Sequence, residues 1–255
     1  MSVTAVTGSA SGIGAAVAQQ LREAGHTVIG IDRQQAEVVA DLSSSEGRKK
    51  AAEQVIALSN GQLDGLVCCA GLGVTAPSSS LVVSVNYFGS TELIDLLHPA
   101  LAKSTNPAIT IIGSVAAGQQ TAQPHPMIEL MLSNDEQAAR TAADELAQPH
   151  IAYSASKYAL TMHCRRLAVT TGSTGVRLNI VAPGAIETPL HEASKNDPRF
   201  GEAVRNFIAP IGRNGQPSEI ADAVSFLQSP QASFVHGSII YVDGGMDAMM
   251  RNGNF

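Results

Sequence analysis

Apolar residues fall along this chain in two alternating rhythms. Val3 to Thr7 is a short apolar run. After a turn of small residues, Ile13, Val17 and Leu21 recur at intervals of four with Ala16 and Ala24 beside them, the stripe of a helix that Gly25 ends. Thr27 to Ile31 is then nearly continuous in apolar residues, as a strand buried on both faces of a parallel sheet requires, and it stops at Asp32. The same alternation predicts a brief strand near Val38 to Ala40, a helix across Ser45 to Leu58 and a strand at Leu63 to Cys69. It continues with a helix around Val83 to Leu101, a strand at Ala108 to Ile112, a helix carrying Tyr153 and Lys157, and a strand at Leu178 to Val181. A helix near Ile220 to Leu227 and a strand at Ser238 to Val242 complete the series. Strand following helix, with no repeat, low-complexity tract or linker, predicts an α/β fold: one doubly wound parallel sheet, a single domain over residues 1–255.

Two stretches break the rhythm. Ser114 and Tyr153 stand 39 positions apart, and what lies between is not strand-like. Pro124 and Pro126 interrupt its first half. Asn134 and Asp135 are placed to cap a helix over Glu136 to Ala147, where Ala138, Ala139, Ala142, Ala143 and Leu146 form an apolar stripe. This predicts a helical insertion at about 118–150, between Ser114 and Tyr153. The second stretch, about 185–213, mixes Ile186, Leu190, Phe200, Phe207 and Ile208 with charges. Its length and partly apolar character suit a lid over an apolar ligand, although Phe200, Phe207 and Ile208 would suit a core equally.

Composition narrows the partners. A formal net charge of −6 supplies no field for phosphodiester backbones or anionic lipid, so no nucleic acid partner is expected. No basic leader follows Met1 and no run is apolar long enough to span a bilayer, which reads as a cytoplasmic protein with no membrane association. Cys68, Cys69 and Cys164 are odd in number, two are adjacent, and none sits at metal-ligand spacing from a histidine; buried reduced thiols are expected, with no metal.

Candidate chemistry sits at two places. Tyr153 and Lys157, four apart, share a helical face. A phenol titrates near pH 10, so Tyr153 exchanges protons with an alcohol at neutral pH only if a fixed positive charge favours its phenolate, and Lys157 is placed to supply it. The other place is the turn from Thr7 through Gly8, Ser11, Gly12, Ile13 and Gly14, between the first strand and the first helix. Glycines there allow a tight turn and a close approach to a pyrophosphate, and the helix offers free N–H groups and a positive dipole end. Asp32, eighteen residues past Gly14, stands where an acid accepts from the adenosine ribose hydroxyls; it would repel a 2′-phosphate, which favours NAD over NADP although Arg33 follows. Asp41-Leu42 is placed to bound the adenine, with a helix cap or solvated charge the rival reading of Asp41. Cys69-Ala70-Gly71 ends the fourth strand at the edge where cofactors bind in such Rossmann-type sheets.

With the Thr-Gly-x-x-x-Gly-x-Gly turn, the Tyr-x-x-x-Lys pair, Ser114 upstream and Pro183-Gly184 after the next strand, the chain resembles the short-chain dehydrogenase/reductase family over nearly all 255 residues. Leu66 to Gly73, Val82 to Gly89, Glu187-Thr188-Pro189-Leu190, Val242-Asp243-Gly244-Gly245 and the long insertion carry a closer likeness to its bacterial 3-alpha-hydroxysteroid dehydrogenase/carbonyl reductase branch. The resemblance implies roles for particular residues. Tyr153 would be the proton donor and acceptor, and Lys157 would hold the nicotinamide ribose and lower the tyrosine pKa. Ser114 would hydrogen-bond the reacting oxygen of the substrate, Asn86 would hold a proton-relaying water, and Ile186 and Thr188 would position the carboxamide. Two departures stand out. Cys68-Cys69-Ala70-Gly71 replaces the family's Asn-Asn-Ala-Gly, and the Ser-to-Tyr interval is far longer than usual, which bears on the family's oligomer interface.

The implied function is NAD-dependent, reversible oxidation of a secondary alcohol, foremost the 3-alpha-hydroxyl of a steroid, with reduction of apolar ketones and aldehydes, by a homo-oligomer, most simply a dimer. A 3-oxoacyl thioester or small polyol as substrate, or a non-catalytic NAD-binding redox sensor, are the alternatives.

Overall fold

The apolar runs become strands of one sheet. In a computed structural model, which describes residues 2–253, β1 (Val3–Thr7), β2 (Thr27–Asp32), β3 (Val38–Val39), β4 (Gly65–Cys68), β5 (Ala108–Ile112), β6 (Arg177–Pro183) and β7 (Ile239–Val242) pair in the order β3-β2-β1-β4-β5-β6-β7. Every pairing is parallel. The order reverses at β1, whose neighbours are β2 and β4, so a crevice opens between the carboxyl ends of β1 and β4.

Eleven helices follow among the described residues: α1 (Gly12–Glu23), α2 (Ser45–Leu58), α3 (Ser79–Val83), α4 (Gly89–Leu101), α5 (Met127–Leu132), α6 (Glu136–Leu146), α7 (Pro149–Thr171), α8 (Pro189–Lys195), α9 (Gly201–Asn206), α10 (Pro217–Gln228) and α11 (Met246–Met250). Val17 and Leu21 of α1 meet Ile220 and Val224 of α10 over Val6, Val67 and Val181 on one sheet face. The opposite face carries α2, α4 and α7 in a larger core. Both faces of the central strands are thereby covered, which is why their sequences run apolar rather than alternating.

Some boundaries differ from the pattern, each for a local reason. The helix expected from Val83 begins at Ser79, because the Ser78 hydroxyl accepts from the Leu81 N–H at 3.1 Å and caps it. A π-helical turn, Ser84–Phe88, then separates α3 from α4. In the insertion Asp135 alone caps α6, its carboxylate accepting from the Ala138 N–H at 3.0 Å, while Asn134 is left-handed at φ 61°. Ala147, expected within that helix, is left-handed at φ 50° and ends it. Met127, Ile128 and Met131 of α5 and Ala139 and Ala143 of α6 are buried in the same core as Ala152 and Ala155 of α7, so the insertion extends the main core.

At the amino-terminal end of β6, away from the crevice, Arg177 is buried at 7 % exposure. Its guanidinium donates to the carbonyls of Leu227 (2.8 Å), Ala232 (3.1 Å) and Ser229 (3.3 Å), closing the carboxyl end of α10 with the charge its dipole favours. Arg177→Leu strands those carbonyls. It should lower the unfolding free energy by about 2–4 kcal/mol in a urea titration while leaving the native secondary structure, read by circular dichroism, unchanged.

Candidate active site

Backbone meets backbone at the crevice. Gly8 is left-handed at φ 68°, and a Cβ there would stand 2.9 Å from the Ala70 backbone; a Cβ on Gly14 would overlap the Gly8 carbonyl. The Thr7 hydroxyl accepts from the Ala70 N–H at 2.9 Å, tying the ends of β1 and β4 together. Ser11 begins α1 without a side-chain cap, and the first turn of α1 carries no acid. The free N–H groups and dipole end of a twelve-residue helix therefore face the crevice without internal compensation. Asp32 accepts from Ala10 N–H (3.0 Å) through Oδ2 and from Arg33 N–H (2.7 Å) through Oδ1, which fixes a carboxylate beside the turn. These residues fit a dinucleotide: a side-chain-free cradle and an uncapped helix end for the pyrophosphate, and an anchored acid for a ribose diol.

Beyond Asp32 the crevice opens into a groove of about 510 Å³ lined by Arg33, Val39, Asp41, Ser44 and Lys50, among others. Asp41 accepts from the Ser43 N–H at 2.9 Å, and that bond holds its carboxyl below the ordinary range. Leu42 behind it is buried. Asp41 thus shapes a local turn as well as facing the groove, while the cap of α2 is Ser44, whose hydroxyl accepts from the Gly47 N–H.

The other end of the crevice gathers the titratable groups. Asn86 lies in the π-helical turn, fully buried. Its Oδ1 accepts from Leu72 N–H (2.7 Å), and its amide donates to Leu72 O (3.1 Å) and to the Ser156 hydroxyl (3.2 Å). The π turn brings that amide into reach, a distortion common where function demands it. Ser156 in turn donates to Tyr153 O at 2.8 Å, so Asn86 is linked to the tyrosine's own backbone. Lys157 is buried, and its ammonium donates to the Ile112 carbonyl at the end of β5 at 2.8 Å. Burial lowers its pKa to about 8. A Cβ on Gly71 would stand 3.6 Å from Lys157 Nζ and 3.4 Å from Asn86 Oδ1, so the loop after β4 forms the opposite wall.

Tyr153 is raised above the ordinary phenol by burial, and the Ser114 hydroxyl acts in the opposite sense. Ser114 also caps the 3-10 turn Val115–Gln120, accepting from Ala116 N–H at 3.1 Å. Gln120 at the end of that turn donates to Ser154 at 2.8 Å, coupling the Ser114 segment to the Tyr153 helix.

Pro183 and Gly184 close β6, where Gly184 N–H donates to Val242 O at 3.2 Å. Ile186 is buried, and Thr188 caps α8, accepting from His191 N–H at 3.1 Å and donating to Ile186 O at 3.2 Å. Thr188 comes down on the glycine turn, where a Cβ on Gly12 would lie 3.4 Å from its methyl; Leu190 closes on Gly73 in the same way, at 2.9 Å. Phe207 and Ile208 are exposed, which removes them from the core. Of the three cysteines Cys68 and Cys164 are buried, but Cys69 is partly exposed. Burial pushes the Cys68 thiol up to about 12. Ser156 and Gln120 escaped the sequence reading; only the position of Ser156 on the Tyr153–Lys157 turn hinted at a role.

Fold and edge together define a dinucleotide-binding α/β oxidoreductase. Residues 2–125 match the family model described as short chain dehydrogenase, and residues 137–247 the one described as Enoyl-(Acyl carrier protein) reductase. The chain is 47 % identical to the 3-alpha-hydroxysteroid dehydrogenase/carbonyl reductase of Comamonas testosteroni, with 100 % of each covered. It superposes with TM-score 0.98, at 57 % identity and full coverage of both chains, on the 3-alpha-hydroxysteroid dehydrogenase of Pseudomonas sp. B-0831 complexed with NADH. A 3-ketoacyl-(acyl-carrier-protein) reductase of Brucella melitensis complexed with NADH is more distant, at 26 % identity and TM-score 0.74, with 96 % of this chain and 98 % of that one covered. The chain belongs to the short-chain dehydrogenase/reductase family.

The buried lysine makes a pH-dependent prediction. Its folded pKa, about 8, lies below the 10.5 of a free lysine, so its contribution to stability is fully present above pH 10.5 and is lost as pH falls to 8. Below pH 8 the burial of charge costs on the order of 3 kcal/mol. Replacing it by Lys157→Met should therefore remove this slope, and the stability of the wild type relative to the variant should rise between pH 8 and 10.5. Chemical denaturation of both proteins across that range checks it.

Proposed function

We propose that this chain is an NAD-dependent 3-alpha-hydroxysteroid dehydrogenase that also reduces apolar ketones and aldehydes. The observation that carries the reading is the convergence of Ser114, Tyr153, Lys157 and Asn86 on the crevice whose other end holds the glycine cradle and Asp32. The relatives support the substrate class: both full-length matches are named for 3-alpha-hydroxysteroids, and the Pseudomonas protein is complexed with NADH.

In this reading Gly8, Gly12, Gly14 and the first N–H groups of α1, after Ser11 and at Ile13, hold the pyrophosphate. Asp32 takes the adenosine ribose, and Asp41 and Leu42 bound the adenine. Cys69, Ala70 and Gly71, with Pro183, Gly184, Ile186 and Thr188, line the nicotinamide end. The bound cofactor supplies a hydride acceptor for oxidation and a donor for reduction. Tyr153 takes the hydroxyl proton of the alcohol and returns it in reduction, and Ser114 donates a hydrogen bond to the reacting oxygen as charge develops there. Lys157 holds the nicotinamide ribose and passes protons outward by a water held near Asn86. Asp32 sets NAD above NADP by repelling a 2′-phosphate, which Arg33 only partly offsets.

The lid over residues 185–213, including the exposed Leu190, Phe207 and Ile208, supplies an apolar wall for a steroid. We place the protein in the cytoplasm, where its free thiols stay reduced, and among the described residues no helix is long and apolar enough to cross a membrane. A homodimer is the expected assembly: the edge strand β7 exposes Tyr241, and Phe226 of α10 and Phe234 are exposed as well, apolar surface that association would cover. A 3-oxoacyl thioester is the second reading, favoured by the likeness to the 3-ketoacyl-(acyl-carrier-protein) reductase of Brucella melitensis.

A panel of 3-alpha-hydroxysteroids and polyols with NAD or NADP, and of 3-oxoacyl thioesters with NADH or NADPH, read by nicotinamide absorbance, tests these choices. Steroid turnover with NAD is expected to dominate, and a Tyr153→Phe protein should lose about 10²–10⁴-fold in kcat. Near-normal turnover by that variant would remove the mechanism. Thioester turnover above steroid turnover would hand the substrate class to the second reading.

A further inference from the structure

Arg48 is the largest fully buried side chain among the described residues, at 1 % exposure, and it lies outside the crevice. It projects from the first turn of α2 into a junction of three segments that are far apart in sequence. Its Nε donates to Glu92 of α4 at 2.6 Å. Its Nη2 donates to Glu136, the first residue of α6 in the insertion, at 2.5 Å, and Nη1 reaches the other oxygen of that carboxylate at 3.3 Å. Nη1 also donates to the Leu42 carbonyl at 3.2 Å. Ser45 adds a hydrogen bond to Glu92 at 2.7 Å, so the far carboxylate is itself fixed.

The segment that Arg48 grips is the wall of the groove beyond Asp32. Asp41 and Leu42 are hemmed in by backbone on two further sides. A Cβ on Gly47 would overlap the Asp41 carbonyl, and one on Gly89 would lie 3.3 Å from Leu42 O. Such a corner cannot shift without dislodging Arg48, and Arg48 cannot shift without breaking its fork to Glu136. The forked, planar guanidinium suits this task because it fixes direction as well as charge, which an ammonium does not.

We infer that Arg48 is a positioning residue for the adenine subsite, and that through Glu136 the insertion between Ser114 and Tyr153 sets cofactor affinity. The inference rests on the adenine placement proposed above. Arg48 touches neither cofactor nor substrate; it acts by holding Leu42, and with it Asp41, against the groove. An insertion that in sequence terms belongs to the reaction end thereby reaches the nucleotide end, by way of one buried cation.

The test separates adenine binding from the rest of the site. Binding of ADP-ribose, which carries the adenine half without the nicotinamide, is measured by calorimetry for wild type, Arg48→Lys, Arg48→Met and Glu136→Gln. Arg48→Met should weaken ADP-ribose by about tenfold and raise the KM for NAD in parallel, with Arg48→Lys and Glu136→Gln losing less. At saturating NAD, kcat and the substrate KM should stay within twofold, a split that general loosening of the fold would not give. If Arg48→Met fails to fold, the lysine and Glu136→Gln variants decide alone. Folded variants with wild-type ADP-ribose affinity, or with KM and kcat degraded for both ligands together, would overturn the inference. A wild type that binds no ADP-ribose would remove the cofactor reading and this inference with it; bound wild type with unaffected variants removes only the inference.

Discussion

The structure depends on a place where no side chain fits. Where β1 turns into α1, the backbone of Gly8 presses on that of Ala70, and Gly14 presses on Gly8. Two strands and a helix thereby share one crowded corner, and the Thr7 hydroxyl completes it by accepting from Ala70 N–H. This closeness lets an uncapped helix end, an anchored carboxylate at Asp32 and the loop after β4 face one crevice at the point where the sheet order reverses. A methyl group at Gly14 would move α1 from β1, and every distance across the crevice would change with it.

Three buried cations show how differently the fold satisfies charge. Arg177 is met by carbonyls at a helix end, a structural arrangement remote from the crevice. Arg48 is met by two carboxylates and one carbonyl, and joins three segments. Lys157 receives a single carbonyl, that of Ile112, and its pKa falls to about 8. The least compensated of the three lies beside Tyr153, Asn86 and the glycine cradle. That is where an unfulfilled charge can still respond to a ligand, and a fully paired one cannot.

Much of this was legible in the residues. Apolar runs from Thr27 to Ile31 and from Ala108 to Ile112 locate strands because parallel strands buried on both faces leave no room for polar alternation. The glycine turn and Tyr153 with Lys157 were legible because backbone proximity and helical spacing are local properties. What could not be read depends on contacts between distant segments. The π turn at Ser84–Phe88 arises where Asn86 reaches back to Leu72, and nothing in the run itself calls for it. The direction of the Lys157 ammonium depends on where β5 ends. Arg48 reads, in sequence, as one more charge on a helix between Gly47 and Lys49; only tertiary packing brings Glu92 and Glu136 to it.

The insertion makes the same point at larger scale. Its alanine stripe and its cap at Asp135 are visible in the chain, and they foretell a helix but not its address. Ser80 N–H donates to Asp144 at 2.8 Å, and Glu136 forks onto Arg48, so α6 is tied at one end to α3 and at the other to α2 and α4. A hairpin held only by its apolar stripe would be free to slide along the core, since hydrophobic contact has no direction. The two polar ties remove that freedom. They convert an added helix pair into a fixed strut beside the Tyr153 helix, and a fixed strut is what a neighbouring reaction site requires.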